Sequence, residues 1–152
     1  MRKLLTVLAA LLLCLSLACR AADGKGIPFQ VGADASADFF LSSSGPINVS
    51  GGLGVRTRFG SPDQWLNVIA GLRYIYGARL SGPQIPVLLN VNLLKTSSVS
   101  AYIGGGYEFD FIGTYWGCTK FQTGVLIGPH TDIQISYKPY QGALGVGFTY
   151  YF

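Results

Sequence analysis

From Phe29 onward, apolar and polar residues alternate with a period of two, in segments of about ten residues separated by turn-forming clusters. The first segment, Phe29 to Leu41, turns Phe29, Val31, Ala33, Ala35, Ala37, Phe39 and Leu41 one way and Gln30, Gly32, Asp34, Ser36 and Asp38 the other. Ser42 to Pro46 then reverses the chain. The same rule predicts strands over Ile47 to Phe59, Trp65 to Tyr76, Ile85 to Leu93, Val99 to Phe111, Gly117 to Ile127, Asp132 to Lys138 and Gly142 to Phe152. Turn chemistry lies between them, at Gly60 to Asp63, Ser81 to Pro83, Lys95 to Ser98, Gly128 to Thr131 and Pro139 to Gly142. Eight strands of this length, joined in sequence, predict an all-β fold built of antiparallel hairpins.

The charges fall on one face of these strands. Asp34, Asp38, Arg56, Arg58, Arg73, Glu108, Asp110, Lys120, Asp132 and Lys138 all share the polar side, and the opposite side is aliphatic or aromatic. Periodicity alone leaves two barrels open. A soluble lipid-binding barrel would turn the oily face inward, and a membrane barrel would turn it outward. Composition separates them: only 12% of residues are charged, against roughly 25% in an ordinary soluble domain. The polar face is also nearly balanced, with Arg79 added to its basic side. An eight-stranded lumen is narrow enough to be filled by side chains, so charges inside it must pair to offset desolvation, whereas a solvated outer face has no such need. We therefore expect the charged face inside and the oily face in lipid.

The segment Gly142 to Phe152, with Leu144, Val146, Phe148, Tyr150 and Phe152 at alternate positions, resembles the last strand of Gram-negative outer-membrane β-barrels. Together with the pattern of the whole chain, it resembles the OmpA and OmpX type. The resemblance implies an eight-stranded antiparallel up-and-down transmembrane β-barrel over residues 22–152, located in the cell outer membrane. It also implies that Phe148, Tyr150 and Phe152 form a signal read by the barrel-assembly machinery. Residues 1–21 read as a secretory signal: Arg2 and Lys3, the apolar run Leu4 to Leu17, then small residues. Cleavage after Ala18 or Ala21 fits that pattern. Ser16-Leu17-Ala18-Cys19 also resembles a lipoprotein box, departing from it by Ser16, in which case Cys19 carries the lipid. Setting aside Arg2, Lys3 and Arg20 leaves 8 basic against 7 acidic residues, which gives no argument for nucleic acid.

With the amino end in the periplasm, Phe29, Phe59, Trp65, Tyr150 and Phe152 collect at one rim. Phe39, Tyr74, Tyr76, Phe109, Phe111, Tyr115, Trp116, Tyr137 and Tyr140 collect at the other. Two aromatic belts are expected at membrane interfaces. The outer connections are short, the longest expected from Gly77 to Gln84, so a large loop-built binding surface is not expected. Tyr115, Trp116 and Tyr140 could instead make a compact patch, or serve as interface anchors.

Candidate chemistry is sparse. Some barrels of this size act on lipid A with a His, a Ser and a carboxylate at the outer rim, but His130 is expected in a turn at the opposite rim. Cys118 has no second soft ligand beside it for a metal and reads as a small buried residue. Gly104-Gly105-Gly106 lies inside a strand rather than between strand and helix, so it is not a phosphate loop. It is expected to make room for Arg73 and Tyr102. No catalytic residue, cofactor or metal site is expected, and the partners expected are outer-membrane lipid and, during biogenesis, the assembly machinery. The resemblance implies a non-enzymatic protein of structural or interaction role; its lumen is expected to be filled by paired charges, and of the oligomeric states, which the residues leave open, a monomer is favoured; a narrow small-solute pore and the soluble periplasmic lipid-binding barrel are the alternatives. Counting residues across the hairpins sets Asp110 opposite Lys120, Lys120 beside Lys138, and Ser50 opposite Arg73. It also brings Asp38 within two strands of Arg73 and Arg56 diagonal to Asp34.

Overall fold

The computed structural model describes residues 29–41, 45–60, 64–77, 81–111 and 116–152. The expected leader over 1–21, with Cys19, and also Arg79 and Tyr115 lie outside the described residues. The described residues form eight strands: β1 (Phe29–Phe40), β2 (Asn48–Phe59), β3 (Leu66–Gly77), β4 (Gly82–Lys95), β5 (Val99–Asp110), β6 (Cys118–Ile127), β7 (Thr131–Lys138) and β8 (Ala143–Tyr151). A 3₁₀ turn, Pro139–Gln141, joins β7 to β8. Each strand pairs antiparallel with the next, and β1 pairs with β8, so the sheet closes on itself. Closure removes the edge that the row Leu144, Val146, Phe148 and Tyr150 would otherwise present to other chains. Gly128 and Gly142 have positive φ, 59° and 56°, the conformation that tight reversals require and that a Cβ disfavours.

The oily face is outside. Leu53, Leu72, Ile103, Phe121, Ile135 and Val146 are exposed, whereas Asp38, Arg73, Glu108 and Lys120 are almost fully buried. The inward-facing oily lining of a soluble lipid-binding barrel is thus not the arrangement found. A strand exchanges all its faces for a one-residue slip, so this choice was made once for the whole chain. A bulge between Asn92 and Leu94 is the local exception, leaving Leu93 and Leu94 both exposed.

Three expectations are corrected. The connection expected to be longest shrinks to 78–81, because β4 begins at Gly82, and the segments 41–47 and 111–117 are longer. Arg73 lies opposite Gly54, and Ser50 opposite Gly77. Lys120 lies opposite Gly106, and Glu108 opposite Cys118. The β2–β3 connection is four residues longer than its turn residues suggest and the β5–β6 connection four residues shorter, which slides the partner strand in opposite senses. The shift is even-numbered, so every side chain keeps its face.

Candidate functional site: a charge-filled lumen

The alternation that builds the strands aims one charged or amide side chain inward at nearly every second position. Within the described residues the lumen holds Asp34, Asp38, Glu108, Asp110 and Asp132 against Arg56, Arg58, Arg73, Lys120 and Lys138, all buried. All the residues expected to line it are there. They separate into two clusters, each balanced in sign.

The first cluster lies toward the end of the barrel at which β1, β3, β5 and β7 finish. Its hub is Glu108 on β5. Glu108 Oε2 accepts from Arg73 Nη2 at 2.6 Å and from Lys120 Nζ at 3.3 Å, while Oε1 lies 2.6 Å from Lys138 Nζ. Asp38 on β1 closes the ring, 2.7 Å from Lys138 Nζ and 3.5 Å from Arg73 Nη2. Arg73 also donates to Gln84 Oε1 at 2.8 Å and Ser36 Oγ at 2.9 Å. Asp110 is held by amides: Gln84 donates to one oxygen, and Gln141 to the other at 2.9 Å. The expected Asp110–Lys120 partnership is therefore replaced by Glu108–Lys120, as the register correction requires. Lys120 does lie beside Lys138, one step past the Phe121–Tyr137 pair, and their repulsion is offset by the carboxylate both share.

The second cluster is organised around Arg56 on β2. Its guanidinium lies 3.6 Å from Asp34, diagonal to it as the count predicts, since Gly32 faces Arg56 and Asp34 faces Gly54. Most of its hydrogen bonds go to neutral groups: Gln134, Gln122 at 3.0 Å and Thr149 at 3.4 Å. Thr149 in turn donates to Asp34 at 2.8 Å, and Tyr102 donates to Asp132 at 2.8 Å. Gln122 continues the network to Asn90 at 2.8 Å. Nearer the start of β1 and the end of β8, the Arg58 guanidinium stacks over the Tyr151 ring at 4.3 Å and donates to Gln30 and, at 3.0 Å, to the carbonyl of Pro129.

Glycine makes these neighbours possible, though not where expected. A Cβ on Gly124 would lie 2.5 Å from the Tyr102 hydroxyl, and one on Gly54 would lie 2.5 Å from the Cα of Arg73. Gly104 and Gly106 instead face Asn90 and Leu88 on β4. The run Gly104-Gly105-Gly106 therefore lets β5 pack against β4 and does not serve Arg73 or Tyr102. Between the two clusters a void of about 10 Å³ is lined by residues of both, among them Asp34, Arg56, Arg73 and Lys120.

A neutral filling completes the lumen. Phe40, Ile75, Ile69, Leu88, Leu126 and Tyr151 point inward and are nearly fully buried. Phe40 lies between Phe39 and Leu41, and Ile75 between Tyr74 and Tyr76, so binary pattern gives no sign of the inward one. Cys118 is buried at the end of β6. His130 sits in the turn before β7, where its Nδ1 lies 2.8 Å from the Tyr151 carbonyl and its ring stacks on Tyr150 at 5.7 Å. Phe29 stacks on Phe59, and Tyr150 meets Phe152 edge to face, so the end where β1 begins and β8 finishes carries an aromatic cluster. Tyr74, Tyr76, Phe109, Trp116, Tyr137 and Tyr140 are exposed toward the other end.

A closed up-and-down barrel of eight antiparallel strands, oily outside and charged within, is the architecture of the transmembrane β-barrels. The solved structures contain such a fold: a chain described under "De novo design of transmembrane beta-barrels" superposes with a TM-score of 0.54 at 13% identity, over 81% of this chain and 95% of that one. At that identity the likeness is one of fold. No family model matches the sequence, and no curated protein matches it.

Proposed function

We propose that this chain is a monomeric outer-membrane β-barrel protein of structural or interaction role, without enzymatic activity, whose lumen is plugged by its own charges. The observation that carries the reading is the inversion of the usual surface: five carboxylates and five cations buried inside, with leucine, valine, isoleucine and aromatics exposed outside. Water would not tolerate that exterior over the whole wall, whereas bilayer hydrocarbon does. The belts of aromatic residues at the two ends fit the headgroup regions. A narrow solute pore is argued against by the direct ion pairs that span the lumen, because a solute would have to break them at the cost of leaving buried charges unpaired.

Two experiments test this. Refolded into planar bilayers, the chain should conduct poorly, and Arg73→Ala should raise the conductance because it removes the guanidinium that ties Glu108 to Asp38 and Gln84. Equal and substantial conductance for both would replace the plug with a pore. In Gram-negative cells, deletion of Phe152 should lower the folded, heat-modifiable fraction while leaving refolding into detergent nearly unchanged. Equal outer-membrane amounts of the deletion and the parent would remove the assembly-signal role of Phe148, Tyr150 and Phe152.

A further inference from the structure

The β3–β4 ladder is interrupted halfway along β3. Pairing runs from Leu66–Val91 to Ala70–Val87 and resumes at Arg73–Gln84 in the same register, but Gly71 and Leu72 face Pro86 and Ile85 without pairing. The cause is Pro86. The Phe111 N–H bonds to the Pro83 carbonyl, and the Asn92 N–H to that of Trp65, so odd-numbered residues of this stretch of β4 turn their peptide groups to β5 and even-numbered ones to β3. Pro86 therefore faces Gly71 and has no N–H to give it. The Gly71 carbonyl, in the middle of a barrel wall whose outer side is oily, is left without its ladder donor. Such a group is costly in hydrocarbon, where no solvent can satisfy it.

The same two residues line the void between the ion clusters, together with Arg56, Arg73, Lys120, Gln134 and Asp34. At about 10 Å³ it has room for about one water molecule. Its walls hold donors with capacity to spare. Among the described residues Arg56 Nε is buried without a hydrogen-bond partner, and the three-proton Lys120 ammonium has Glu108 Oε2 at 3.3 Å. A water there would donate where Pro86 cannot and accept from a cation, matching the two to four polar partners a buried water needs.

We propose that the barrel wall contains a built water site at the β3–β4 seam, where one molecule takes the place of the missing Pro86 amide, and that this seam is where the wall parts first. The site ties the two ion clusters to each other and to the wall, and gives water a foothold behind the hydrocarbon. The inference rests on the fold and on the proposed placement of the oily wall in lipid, and holds whatever the barrel's physiological role.

The test is amide NMR on the full chain refolded in detergent micelles. The amides of Gly71, Arg73 and Gln84, which face across the seam, should show cross-peaks to a long-lived water. They should also exchange about tenfold faster than amides of the β2–β3 ladder, the scale set by one unmade backbone hydrogen bond. Pro86→Ala, which supplies the amide, should remove the water contact and slow the seam to the rate of its neighbour, while Pro83→Ala should leave it unchanged. Absence of the water cross-peaks in the parent protein, or seam exchange as slow as in the β2–β3 ladder, overturns the proposal. That comparison needs no variant, so it decides the matter even if Pro86→Ala fails to fold.

Discussion

Glu108 and Arg56 are the hubs of two clusters in one lumen, each cluster neutral as a whole, yet the two are held in different ways. Glu108 has three cations within 3.3 Å, so its surroundings repay its desolvation with charge. Arg56 has its carboxylate farther off, at 3.6 Å, and is held mainly by Gln134, Gln122 and Thr149. The first arrangement fails when a charge is removed, because what remains is like-charged and buried. The second depends on shape: a planar guanidinium reaches several amides on different strands at once, and a lysine ammonium cannot. Filling a narrow barrel thus admits two solutions, charge paired with charge or charge dispersed over dipoles, and this chain uses both in sequence along one axis.

The difference can be broken by substitution. The largest effect is expected for Glu108→Gln, which keeps the shape and leaves Arg73, Lys120 and Lys138 crowded without their shared anion. Urea unfolding in detergent should show a loss of about 3–5 kcal/mol. Arg56→Lys keeps the charge and loses the fork, and should cost less, about 1–3 kcal/mol for the amide partners left unmet. If Arg56→Lys proves as damaging as Glu108→Gln, the two clusters are held by the same kind of force. Lys95→Ala, at the exposed end of β4, should change stability by no more than about 0.5 kcal/mol. A larger effect would mean that charge outside the lumen contributes to holding the barrel.

Strand number, order and face were legible in the residues because a period of two leaves no freedom once one face is oily and the other charged. Register was less so. Asp110 opposite Lys120 and Ser50 opposite Arg73 both assume that turns begin where turn-forming residues begin. Segment 111–117 instead gives β6 a partner four residues from the one counted, and Glu108 inherits the contact. The diagonal of Arg56 to Asp34 was legible since it depends on a single hairpin counted correctly. The neutral partners were hidden for another reason: Gln84, Gln122, Gln134 and Thr149 resemble any polar strand residue until a guanidinium is placed between them. Pro86 was the other silent position, since it occupies an inward place in an otherwise unbroken alternation.

The neutrality of each cluster has a mechanical consequence. A potential across a bilayer does work of about 2.3 kcal/mol per elementary charge per 100 mV, but only on net charge that moves. Asp38, Glu108 and Asp110 balance Arg73, Lys120 and Lys138, and Asp34 and Asp132 balance Arg56 and Arg58. The field therefore exerts no net pull on either cluster as a body, in either direction. An applied voltage should neither expel this plug nor seat it more firmly, and whatever small current leaks past should grow in simple proportion to the voltage.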